Sequence, residues 1–257
     1  MSDIDDSKMP LLDHLIELRS RLLWSFLALA IAFGVSIYFA RPILGFLVQP
    51  LLASGQTKLI YTAIFEAFFV EIKVAFFAAA FFSFPVFATQ LWRFVAPGLY
   101  SKEKRAFLPF LLATPVLFML GAAMAYYMAI PVALNYLLGF GGNVGGVQQE
   151  ALPGVDNYLS FVMKFIFGFG ISFLLPVLLM LLERAGIVTL AQLKSARRYA
   201  IVGSFAVAAV LTPPDVVSQL LLAIPLCILY ELALIAIWIT HRRKTKTAPE
   251  ASEAAIE

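Results

Sequence analysis

Charge is scarce in this chain. Of its 257 residues only 14% are Asp, Glu, Lys or Arg, while 61% are hydrophobic, and the mean hydropathy is +0.89. A soluble chain of this length carries about a quarter charged residues. Cysteine is nearly absent: Cys227 stands alone in an apolar run, which excludes an intrachain disulfide and makes a buried thiol the default. The two histidines, His14 and His241, both sit at boundaries of apolar runs, so no histidine-based dyad forms within them. No phosphate-binding loop, dinucleotide fingerprint or metal-ligand spacing occurs. No catalytic residue, cofactor or metal is therefore expected, and the chain does not read as an enzyme. A cleavable leader is not expected either, since Met1 to Asp6 is acidic and the first apolar run is long enough to stay in a membrane.

What is present is long apolar runs without alternation, the mark of membrane helices and not of a barrel. Leu11, Leu15, Leu18 and Leu22 share one helical face, so an interfacial helix is expected to lead into a first span over residues 22–40. Arg41-Pro42 ends that span. Residues 41–64 are broken up by Pro42, Pro50 and Ser54-Gly55, with a short helix expected near Ile43 to Val48. Further spans are expected at 65–91, kinked at Pro85, and at 107–138 and 158–183. Two shorter final helices follow at 199–211 and 216–240. The fifth, at roughly 20 Å, falls short of a ~30 Å core. The expected fold is all-α and polytopic: one six-helix domain over 1–240 and a disordered tail over 241–257.

The net charge of +3 raises nucleic acid, but the cations sit at segment ends, where topology explains them better. Lys8, Arg19 and Arg21 precede the first span. Arg93, Lys102, Lys104 and Arg105 join the second to the third. Arg184, Lys194, Arg197 and Arg198 join the fourth to the fifth, and Arg242, Arg243, Lys244 and Lys246 follow the last. The other side has only Arg41 and Lys58. Both termini are accordingly expected in the cytoplasm, with Glu17 and Glu103 on that same face.

Those two carboxylates are the leading site candidates. Glu103 lies in the loop from Leu91 to Phe107, where Trp92, Phe94 and Tyr100 suit the water–lipid interface and Pro97-Gly98 suggests a turn. A partly desolvated carboxylate there can receive an arginine bidentately. The bland alternative is a solvated glutamate neutralised by its neighbours. Glu17 has Arg21 four residues on, in the favourable order for a helical ion pair worth only ~0.3–0.5 kcal/mol. Such a pair does not stop Glu17 exchanging partners. Lys73, inside the second span, is expected to snorkel outward and pair with Glu66; Lys164 is a weaker case of the same kind. Glu231 has no evident partner. Asp215 and Gln219 open the last helix, either as a cap with a polar first turn or as a polar lining.

Three stretches in order, HLIELRSRL from His14, FVAPGLYSKEKR from Phe94 and LTPPDVVSQ from Leu211, resemble the TatC family of twin-arginine protein translocases. The resemblance runs from about Leu12 to Trp238. It implies six helices in a bacterial inner membrane and recognition of signal peptides bearing paired arginines. It also implies export of folded proteins, driven by the proton-motive force, with single-span TatA-like and TatB-like partners and several copies per complex. By motif it assigns signal binding to Glu17, Arg19, Phe94, Pro97, Glu103 and Arg105, and an outer-side role in translocation to Pro50, Asp215 and Gln219. Small residues of the fifth helix, Gly203, Ser204, Ala206 and Ala208, are expected to dock partners. One departure stands out: many members carry Phe-Glu-x-Pro in the fourth helix, and here Leu174 takes the glutamate position. The rival is a secondary transporter of a small solute, which predicts internal repeats and polar, broken helices at the midplane; neither is evident.

Overall fold

The computed structural model describes the backbone of residues 9–99, 104–149, 151–212 and 215–253, and side chains within 15–94, 110–141, 145–146, 151–212 and 215–240. Among the described residues, five helical stretches are long and apolar enough to cross a membrane: Leu15–Tyr38, Glu66–Phe94, Phe110–Leu138, Val155–Arg184 and Val216–Thr240. The sixth membrane helix is the short one, Arg197–Leu211, whose 15 residues reach roughly 22 Å at ~1.5 Å each.

In chain order, α1 is Met9–Tyr38, α2 Ala40–Ala53 and α3 Glu66–Leu99. The third span is α4 (Lys104–Met124), a π turn at Ala125–Ala129 and α5 (Ile130–Leu138). The π turn sits just before Pro131, which has no N–H to continue the regular ladder. A two-stranded hairpin follows, β1 Gly142–Val144 against β2 Val147–Gln149. Its turn residues Gly145 and Gly146 have φ of 61° and 93°, the double left-handed geometry that only glycine adopts without strain. The fourth span is α6 (Val155–Ser172) and α7 (Leu175–Arg184). They are separated at Phe173-Leu174, because Pro176 belongs to the first turn of α7. Then come α8 (Leu190–Ser195), α9 (Arg197–Leu211) and α10 (Val216–Glu253).

Several expectations change. The stretch after the first span holds a 14-residue helix, not a short one: Pro42 occupies its first turn, where no donor is needed, and Pro50 is accommodated as a buried residue inside it. That helix ends where Gly55, at φ 88°, lets its own N–H reach Leu52 and that of Gln56 reach Leu51, a closed C-terminal motif. Pro97-Gly98 make no turn; α3 continues to Leu99. The tail, expected to be disordered, continues α10 as helical backbone to Glu253. The spanning part of α10, 25 residues, is still shorter than the three middle spans.

The contacts divide into two compact units. The first comprises Met1–Val116 and Leu137–Met163. Here α1 packs along α3 with edge-on aromatic pairs, Phe26 to Phe87 at 6.5 Å and Phe33 to Phe76 at 6.4 Å. Small buried residues of α3, Val74, Ala75, Ala78 and Ala79, permit close approach. Among the described residues of α1 only Ser25 and Ser36 are buried, so most of this helix is left for lipid. The second unit comprises Leu117–Tyr136 and Lys164–Glu257. In it Gly121 and Gly170 let the third and fourth spans cross tightly. A Cβ on Gly121 would lie 2.5 Å from the Phe169 carbonyl oxygen, and one on Gly170 2.6 Å from the Phe118 ring. The loop helix α8, started by a reciprocal Thr189–Gln192 cap, docks Leu193 against Tyr230, Leu234 and Ile237 of α10.

Candidate functional site

Glu17 stands in the third turn of α1, and Arg21, one turn later, closes on it through Nε at 3.0 Å and through Nη2. The side chains retain 36% exposure for Glu17 and 23% for Arg21, so the pair is open to water. It borders a cleft of about 370 Å³ between α1 and α3, lined by Glu17, Ser20, Arg21, Trp24, Gln90 and Arg93. Arg93 is exposed and makes no ion pair among the described residues. The described lining thus holds two guanidinium groups and one carboxylate. Arg19 is exposed on α1 and Phe94 half-buried on α3. Pro97 and Arg105 lie on the helix ends flanking the loop, their side chains outside the described residues, and Glu103 lies outside them altogether.

The two helices that carry the loop are tied together. Trp92 Nε1 donates to Thr114 Oγ1 at 2.8 Å, and Thr114 Oγ1 donates to the Phe110 carbonyl at 2.8 Å. The interfacial indole foreseen from composition is therefore also a cross-helix strut. Gln90 and Arg93 were not singled out for the cleft; their signal is that they lie one helical turn apart, which places them on one face of α3.

Elsewhere in the first unit a second polar group forms. Lys73 does not pair with Glu66. It donates to Asp156 Oδ1 of α6 and, at 3.2 Å, to Ser160 Oγ. Glu66 instead accepts from the Thr62 N–H, the Thr62 hydroxyl at 2.8 Å, the Ala63 N–H at 3.1 Å and the Asp156 N–H at 3.0 Å. One carboxylate thus caps two helices at once. Sequence periodicity put Glu66 and Lys73 on one face, but only the tertiary fold brings Asp156 to both. Nearby, the Tyr158 hydroxyl donates to the Leu47 carbonyl at 2.9 Å, one turn before the buried Pro50.

In the second unit Asp215 caps α10, accepting from the Ser218 N–H at 2.7 Å, and Gln219 Nε2 donates to the Phe205 carbonyl of α9 at 3.2 Å. Asp215 thus acts at a helix start, and Gln219 ties α10 to α9. Glu231 gains a partner, Arg197 Nη2 at 2.7 Å. Of the four small residues in α9, Ser204 and Ala208 are buried at 7% and 0%, because their size lets α9 pack on α10. Only Gly203 and Ala206 face outward.

Comparisons with known proteins agree with one another. Residues 13–225 match the family described as Sec-independent protein translocase protein (TatC). A protein of that name from Magnetococcus marinus is 48% identical over 89% of this chain and 84% of its own length. One from Aquifex aeolicus is 43% identical over 92% and 98%. A crystal structure titled as the twin arginine translocase receptor TatC superposes with a TM-score of 0.78 at 42% identity, covering 88% of this chain and 98% of that one. With the membrane helices, the family match and that superposition in hand, the chain belongs to the TatC family, the multi-pass membrane components of the Sec-independent protein translocase.

Proposed function

We propose that this protein is the signal-recognition subunit of a twin-arginine translocase in a bacterial inner membrane, with both termini in the cytoplasm. Glu17 and Glu103 receive the paired arginines of a signal peptide, and Arg19, Phe94, Pro97 and Arg105 frame them. TatB-like and TatA-like single-span helices join it, several copies assemble, and the proton-motive force drives export of the folded cargo. Pro50, Asp215 and Gln219 act on the opposite side during passage.

The observation that carries this reading is the state of Glu17. It is half-exposed beside an open cleft, and its partner is a single local arginine. An incoming guanidinium can replace Arg21 with little loss, because an exposed i,i+4 pair contributes only ~0.3–0.5 kcal/mol. A planar fork fits a carboxylate bidentately where an ammonium makes a point contact, which accounts for a preference for arginine over lysine. The test is binding of a fluorescent signal peptide to the purified protein in nanodiscs, Arg-Arg against Lys-Lys, with wild type, Glu17→Gln and Glu103→Gln. Loss of most binding in each comparison is expected, together with loss of export in Glu17→Ala or Glu103→Ala. Equal binding throughout would make both glutamates ordinary solvated charges and overturn the assignment.

A further inference from the structure

The cleft between α1 and α3 has a surplus of positive charge, although the ligand assigned to it is a pair of arginines. Among its described lining residues Arg21 and Arg93 outnumber Glu17. Ser20, Trp24 and Gln90, which complete that lining, each bring a hydrogen-bond donor. Arg21 uses Nε and Nη2 on Glu17, which leaves Nη1 without a bond among the described residues. Arg93 is exposed and makes no ion pair among them. All six residues belong to the first unit. Glu17 is the third residue of the span Leu15–Tyr38, and Arg93 the last but one of Glu66–Phe94, so the cleft stands at the headgroup end of both. From there Ser20, Trp24, Leu27 and Ile31 run down one face of α1 at spacings of four, three and four. All four are exposed, the last three by 61%, 49% and 62%. Their order is hydroxyl, indole, then aliphatic, the polarity gradient of a lipid from headgroup to chain.

We propose that the cleft holds the phosphodiester of an anionic lipid, with Arg93 and Arg21 on its two unesterified oxygens and the acyl chains along Trp24, Leu27 and Ile31. Guanidinium forks take phosphate through parallel N–H bonds, and the exposed pair with Glu17 that Arg21 gives up is a weak one. The chains hold the phosphate at the cleft, so it acts at a high effective concentration. Its charge cancels the surplus of the described lining. It also draws Arg21 off Glu17, which then faces the cleft unpaired. The lipid thereby primes Glu17 for an incoming arginine. A zwitterionic lipid brings its own ammonium and lacks the net charge for this. The priming rests on the signal-recognition role proposed above for Glu17. The lipid site does not, since Arg93 and the α1 stripe have no part in that role.

The probes are short-chain phosphatidylglycerol, short-chain phosphatidylcholine and glycerol phosphate, each added to the purified protein in a neutral detergent. Native mass spectrometry is expected to show phosphatidylglycerol retained about ten-fold over phosphatidylcholine. That preference is expected to be lost in Arg93→Gln and kept in Arg93→Lys. Because Arg93 is exposed, both variants are expected to melt with wild type. Affinity for a fluorescent signal peptide is expected to rise a few-fold with phosphatidylglycerol in wild type, but not in Arg21→Ala, where Glu17 is already free. Equal retention of the two lipids, or retention unaffected by Arg93→Gln, would overturn the lipid site. Glycerol phosphate bound as tightly as the lipid would assign the cleft to a soluble phosphate and remove the role of the α1 stripe. No rise in peptide affinity, or a rise that persists in Arg21→Ala, would overturn the priming. If Glu17→Gln binds peptide like wild type while phosphatidylglycerol is still retained, the signal-recognition reading fails and the lipid site stands.

Discussion

Lys73 and Asp156 meet across 83 residues of chain, whereas Glu17 and Arg21 meet across a single helical turn. Both pairs belong to the first unit, and both are partly exposed. Around Lys73 the bonds are long-range: Asp156 N–H to Glu66 spans 90 residues and Tyr158 to Leu47 spans 111. The isolated parallel bridge between Ile60 and Gly154 joins the same segments. Around Glu17 the carboxylate's bonds are local, and the neighbouring Arg93 has no ion pair among the described residues. One group, the charges around Lys73 together with the Tyr158 hydroxyl, ties α6 to α3 and to α2. The other bonds its carboxylate only within one helix, among the described residues.

Three substitutions sharpen or break that contrast. The largest effect is expected from Glu66→Ala, which strands the N–H groups of Thr62, Ala63 and Asp156 together. Its thermal midpoint in detergent should fall clearly below that of wild type, while Glu17→Ala melts with wild type and loses signal-peptide binding. Equal melting of the two variants would erase the distinction. Next comes Tyr158→Phe, which removes the bond to the Leu47 carbonyl from a residue only 4% exposed. A loss of about 0.5–1.5 kcal/mol is expected, read as a lower midpoint with unchanged peptide affinity. The smallest is Arg21→Ala, expected to cost ~0.3–0.5 kcal/mol while tightening signal-peptide binding a few-fold, because Glu17 is released from its local partner. Weaker binding in Arg21→Ala would mean that Arg21 orients Glu17 and does not compete for it.

The helices were legible because hydrocarbon demands long apolar runs, and the short α9 was legible by the same arithmetic. The helix after the first span was misread because its prolines look like breakers in sequence. In place Pro42 occupies a first turn and Pro50 is buried inside the helix. The Asp215 cap and the Glu17–Arg21 pair were visible too, since both depend on spacings of three and four residues within one helix.

The sequence by itself determined the membrane class, the order of the membrane helices, and the family motifs that nominate Glu17 and Glu103. Apolar run length and local helical spacing are one-dimensional properties, and they survive without a fold. Tertiary structure alone decided the partners of the charges that pair across helices. Lys73 goes to Asp156, Glu66 to two helix starts and Glu231 to Arg197, while Lys164 is left with none among the described residues. Those outcomes depend on how helices far apart in the chain are brought side by side, and no periodicity within one helix encodes that.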